Sequence, residues 1–124
     1  MEVMAGVTPD ELASFTKAYA DFVKTTEPDT LGWSYNKSGK KVVLIERYKN
    51  EDGNIITAQN ISPGGKRYEL LQEKLGMLKV TEVDVYGGFT DKLKSFNAKA
   101  AEELDFEFPF NYYPAISGYS RNEH

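Results

Sequence analysis

Apolar positions along the chain change their period several times, and each change marks an element. Leu12, Phe15, Tyr19, Phe22 and Val23 recur at the spacing of one helix face. Thr8-Pro9-Asp10-Glu11 opens that run well. Thr8 can cap, Pro9 suits the first helical position, and Glu11 completes a capping box. The pattern predicts a helix over 9–26, ended by Pro28, which disfavours helix at Glu27. Leu31, Trp33 and Tyr35 then alternate with Gly32, Ser34 and Asn36, the period of a strand. Asn36-Lys37-Ser38-Gly39 supplies turn chemistry, and Val42 to Tyr48 reads as a returning strand rich in β-branched and aromatic residues.

Glu2 to Val7 is short and apolar, a first strand. Ile55 to Ile61 is ambiguous: β-branched residues and short length favour strand, whereas its place after a hairpin favours a crossover helix. Ser62-Pro63-Gly64-Gly65 breaks it. Lys66 to Leu75 reads as helix, with Tyr68, Leu71 and Leu75 on one face and Gly76 as its stop. Lys79 to Tyr86 alternates as a single strand with one polar face. Beyond Gly87-Gly88, Thr90 can cap a helix bearing Leu93, Phe96, Ala100 and Leu104. Phe106, Phe108, Phe110 and Tyr112 alternate after it. Six of the sixteen aromatics lie between Phe106 and Tyr119, so this tail must cover something. Pro109 and Pro114 make it an edge strand or an extended arm.

The order is βαββαβ, an α+β chain of ferredoxin-like arrangement with an antiparallel sheet. Helices cover one face of such a sheet. A second copy is the simplest cover for the other, giving a dimeric α/β barrel. Residues 1–88 form the ferredoxin-like unit. Residues 89–124 form an extension of a helix and an aromatic arm, packed on the same unit or on the dimer partner.

Composition narrows the chemistry. At 124 residues the chain reads as a single structural domain carrying that extension. The net charge of −4 argues against nucleic acid and anionic membranes as partners. Lys40-Lys41 and Lys66-Arg67 are pairs on solvated faces and turns, not a patch. The absence of cysteine removes disulfides, thiolate catalysis and sulfur-based metal sites. The one histidine is the terminal His124, so no internal imidazole serves as base, haem ligand or zinc ligand. No carboxylate run has calcium-loop spacing, and Gly64-Gly65-Lys66 lacks that of a phosphate loop. No metal is expected. With neither a signal-peptide pattern nor a run of ~18 apolar residues, a soluble cytoplasmic protein is the expectation.

Glu27-Pro28-Asp29-Thr30-Leu31 and then Glu46-Arg47-Tyr48, set between a helix and a hairpin, resemble the antibiotic-biosynthesis-monooxygenase-like family of dimeric α/β barrels. The resemblance runs over about residues 8–87, and Gly118-Tyr119-Ser120-Arg121 is similar to the family's C-terminal extension. It implies a homodimer with a pocket between sheet and helices. It also implies oxidation of a quinol, phenol or polyketide-type aromatic by dioxygen without a cofactor. An electron-rich phenolate reduces oxygen by itself, so such a protein need only bind it, favour its deprotonation and exclude water.

Within this frame Asn60, Tyr48 and Arg47 are the catalytic candidates, and Trp33, Tyr35, Thr57 and Tyr68 the substrate-binding ones. Each has a plainer alternative. Trp33 can stack a planar substrate or fill core or dimer interface. Tyr35 and Tyr48 can donate to a substrate oxygen or be strand tyrosines with surface hydroxyls. Arg47 can stabilise a phenolate or bridge the barrel seam. Asn60 can orient a carbonyl or cap a helix, and Tyr68 also fits a core stripe. Relatives often carry a histidine in the segment aligned with Ile55–Asn60, where the resemblance places Thr57, which cannot replace imidazole as a base. The alternative function is therefore a non-catalytic barrel that binds a small molecule or serves a stress-response or interaction role. A third is a structural barrel whose pocket is filled by its own side chains.

Overall fold

Thr8 caps the first helix, α1 (Pro9–Thr26), as its sequence predicts. Its Oγ1 accepts from the Glu11 amide at 3.2 Å, and the Glu11 carboxylate accepts from the Thr8 amide at 3.3 Å. The computed structural model describes residues 1–119 and Arg121; His124 lies outside the described residues. β1 (Glu2–Val3) precedes α1 and is shorter than the apolar run that foretold it. The hairpin follows as β2 (Thr30–Ser38) and β3 (Lys41–Tyr48), antiparallel, with a register irregularity between Thr30 and Gly32.

The ambiguous run is helical: α2 spans Glu51–Ile61. The deciding feature is its start, where Asn50 Oδ1 accepts from the Gly53 amide at 3.1 Å and Glu51 and Asp52 occupy the first turn. The break after α2 folds tightly back on the helix. Gly65 makes this possible, because a Cβ there would collide with the carbonyls of Gln59 and Asn60. The Arg67 amide donates to the Asn60 carbonyl at 2.8 Å, and α3 (Tyr68–Leu75) begins only after this turn, not at Lys66.

Lys79–Tyr86 is not one strand. β4 is only Leu78–Lys79, antiparallel to β1, which also pairs with β3, giving a four-stranded antiparallel sheet ordered β2-β3-β1-β4. β5 (Val83–Gly87) leaves that sheet and pairs in parallel with β6 (Phe110–Pro114) across α4 (Asp91–Glu103). Alternation alone cannot reveal the change of partner. The chain is drawn away at Glu82–Asp84, where the Val83 amide donates to the Pro109 carbonyl and Asn111 donates to both Glu82 and Asp84. The result is an α+β architecture of four helices, one antiparallel sheet and a small second sheet among the described residues. None of those helices is long and apolar enough to cross a membrane.

Two apolar clusters hold these layers. Leu12, Val42 and Leu78 pack under α1, while Ile55, Val85 and Leu93 join α2, β5 and α4, with Phe89, Phe96 and Tyr112 around them. Trp33 and Tyr35 of β2 face the helices; Val43, Ile45 and Arg47 of β3 face away. That outer face is mixed in character. Val43 and Ile45 are 46% and 51% exposed, and Ser34, Asn36, Lys41 and Arg47 surround them.

Candidate functional site

Between the two apolar clusters lies a buried group of charges. α1 delivers Tyr19 and, at its end, Glu27, whose helical continuation Pro28 forbids. The turn closed by Gly65 delivers Arg67, only 1% exposed. Its Nε donates to Glu27 at 2.9 Å, Nη2 to the same carboxylate at 3.4 Å, and Nη1 to the Tyr19 hydroxyl at 2.6 Å. Thr57 of α2 completes the shell, donating to Glu27 at 2.7 Å. Burial would lower the Arg67 pKa, but the Tyr19 oxygen and the Glu27 carboxylate beside it hold it above its ordinary value. The guanidinium is a fixed cation with three of its five donors bonded to Glu27 and Tyr19.

Lys74, on the next turns of α3, has no such partner. It is 5% exposed, and among the described residues no carboxylate lies within ion-pair distance of its ammonium. Three rings surround it instead: Nζ lies 4.7 Å from the Tyr19 centroid, 5.6 Å from that of Tyr35 and 5.8 Å from that of Trp33. Tyr19 and Trp33 are stacked at 5.7 Å, with Tyr35 edge-on to Tyr19. Burial brings the Lys74 pKa down to about 8; Glu46 pulls it up and Arg67 pushes it further down. Burial also raises Tyr19 to about 12, and it lifts Tyr35 and Tyr48 well above the ordinary phenol value.

Two buried polar groups beside this ammonium, Trp33 Nε1 and Tyr35 OH, lie toward each other without forming a well-made hydrogen bond, and neither has another partner. Leaving such groups dry and unpaired costs about 1–3 kcal/mol each. Glu46 sits opposite Trp33 on the helix-facing side of the sheet, yet it is exposed, and its carboxylate accepts from the Tyr48 hydroxyl. Thr30 Oγ1 is a further unpartnered atom; beside it and Glu27 is a cavity of about 30 Å³, room for a water. A separate groove of about 350 Å³ lies by the start of α1 and the Lys37–Lys40 turn.

Of the residues marked by sequence, Trp33, Tyr35, Tyr48 and Thr57 come together here. Arg47 does not: it lies on the opposite face of β3, its side chain running over Gly32. Asn60 contributes its backbone carbonyl, which holds Arg67 in place. Tyr68 is half-buried at the start of α3. Tyr19, Glu27, Arg67 and Lys74 were missed as site residues. The Lys66-Arg67 pair, read as solvated, is corrected for Arg67, which the Gly65 turn points inward. A signal existed: Arg67, Leu71 and Lys74 follow the i, i+4, i+7 spacing of a buried helix stripe. Comparison with protein-family models, with curated proteins and with solved structures finds no match to the chain. The site's chemistry is that of a donor-rich aromatic enclosure carrying one more buried cation than buried anion.

Proposed function

We propose that this chain is a homodimeric α/β-barrel protein of antibiotic-biosynthesis-monooxygenase-like type, binding a small phenolic or quinol-type aromatic between sheet and helices and oxidising it with dioxygen without a cofactor. The observation that carries the reading is the meeting of Trp33 Nε1, Tyr35 OH and the Lys74 ammonium, none of them in a well-made hydrogen bond or ion pair, beside stacked aromatic faces. A planar ligand with an ionisable oxygen supplies what they lack: a face for the rings and an acceptor for the donors. Tyr19 stacks on Trp33 and the Arg67 guanidinium lies 4.9 Å from the same ring, so the ligand takes the place of the flexible Lys74 side chain beside Tyr35 and the Trp33 edge. The excess cation favours the phenolate, the form that gives electrons to oxygen. The strand order β2-β3-β1-β4 supports a ferredoxin-like unit. Exposed Val43 and Ile45, and the exposed stacked pair Tyr86 and Tyr113 on the small sheet, support a second copy as cover.

Oxygen uptake with a panel of hydroquinones is the direct assay. Uptake above the buffer rate, lost in Trp33→Ala, is the expected result; no uptake with any quinol rules out the oxidation. A second reading, binding without turnover, is favoured by Thr57, whose hydroxyl is committed to Glu27. Ligand-induced thermal stabilisation with no oxygen uptake identifies that case.

A further inference from the structure

Among the described residues Lys74 is a buried cation with no carboxylate within ion-pair distance, Glu46 acting on it only from the exposed rim, and it differs in kind from its neighbour Arg67. The guanidinium is permanently charged and paired with Glu27. The amine can lose its proton, and with it the need for a counter-charge. We infer that Lys74 is the proton acceptor of the proposed binding site, taking the hydroxyl proton of a phenol lying against Trp33 and Tyr35 and then holding the phenolate as an ion pair. The inference rests on the small-aromatic reading above and assigns the base that the missing imidazole leaves open.

The proton balance is closed. The phenol O–H bond breaks, its electron pair stays on oxygen, and the amine lone pair forms the new N–H bond. No oxidant or reductant enters this step. Trp33 Nε1 and Tyr35 OH, which make no well-formed hydrogen bond to each other or to any other group, are the further donors for the oxygen that becomes charged.

Every other titratable or charged group facing Lys74 is unsuited to the role. From α1, Tyr19 is held neutral and Glu27 is bound by Arg67 and Thr57. From β2 and β3, Tyr35 and Tyr48 are pushed above the ordinary phenol range, and Glu46 lies at the exposed rim under the Tyr48 hydroxyl. Arg67, before α3, cannot give up a proton. Lys74, lowered by burial to about 8, holds an accessible fraction of free amine near neutral pH.

The experiment measures the affinity of the full chain for 4-methylphenol as a function of pH, from the fluorescence of Trp33, the chain's one tryptophan. The probe's hydroxyl titrates like that of tyrosine, near about 10. If Lys74 takes its proton, binding releases one proton below the lysine pKa and none above it. Affinity then rises about tenfold per pH unit up to about 8 and stays level to about 10. In Lys74→Arg, a permanent cation, the rise continues to about 10 with no plateau at 8. In Lys74→Met the affinity is independent of pH below about 10. A wild-type profile as flat as that of Lys74→Met overturns the inference and leaves the binding site standing. No binding by any of the three proteins overturns both. If either variant fails to fold, the wild-type profile alone decides, since only a proton-accepting lysine bends it near 8.

Discussion

Helix α2 separates two interiors built on opposite principles. Toward α4 it presents Ile55 to Val85 and Leu93, an apolar cluster ringed by Phe89, Phe96 and Tyr112. Toward the large sheet it presents Thr57 to Glu27, Arg67 and, beyond them, Lys74. The first needs only shape and burial, at roughly 25 cal/mol per Å² of apolar surface removed from water. The second removes charges from water and recovers that cost only where partners are well placed. Glu27 and Arg67 are so placed; Lys74, Trp33 Nε1 and Tyr35 OH are not. A chain that needed only stability would fill this space with leucine. Ion pairs buried in this way add little stability over apolar packing, which is what sets the two interiors apart.

The comparison can be broken at several points. Glu27→Ala leaves Arg67 charged, buried and unpaired, and should cost about 3–5 kcal/mol in urea unfolding. The double variant Glu27→Gln with Arg67→Met should recover much of that loss, because it removes the stranded charge. A double variant as unstable as Glu27→Ala would mean that the region is held by packing instead. Leu93→Ala in the apolar interior should cost about 2–5 kcal/mol, yet leave phenol affinity unchanged. A change in affinity there would mean that the two interiors do not act separately.

pH gives a milder probe. The folded chain releases the Lys74 proton near 8, while the unfolded chain keeps it to the ordinary 10.5. Between these values the unfolded state binds more protons, so stability rises with pH, by about 2 kcal/mol from pH 8 to 10. Above about 10 the sign reverses, because Tyr19 and Tyr48 stay neutral when folded and ionise when unfolded. Lys74→Met should be more stable than the wild type at neutral pH and lack the rise. Denaturation midpoints across the alkaline range read both. Smallest is Thr57→Val, which removes one hydrogen bond to a carboxylate that Arg67 still holds, at about 1.5 kcal/mol. If Thr57→Val instead abolished phenol binding with stability intact, Thr57 would be a ligand contact and not scaffold.

Much of the fold could be read from local chemistry. The Thr8 capping box, the Pro28 stop and the alternation of Leu31, Trp33 and Tyr35 each act within a few residues, and α1 and the hairpin stand where they place them. The split of Lys79–Tyr86 between two sheets was not readable, because it depends on Asn111 and Pro109 at the far end of the tail. The site divides in the same way. Trp33, Tyr35, Tyr48 and Thr57 follow from the hairpin and the resemblance, whereas Arg67 and Lys74 look like ordinary solvated charges on a short polar helix. The Gly65 turn that sets Arg67 inward is invisible to periodicity, and the spacing of Arg67, Leu71 and Lys74 is the one local sign that both cations share the buried side.

The most direct measurement uses the single indole N–H resonance of Trp33, followed while a hydroquinone is added to the protein without oxygen. A ligand lying against Trp33 and Tyr35 moves that resonance along a saturable isotherm and raises the melting temperature in step with occupancy. An indole resonance that stays in place through the whole quinol panel, with the melting temperature unmoved, would contradict the account.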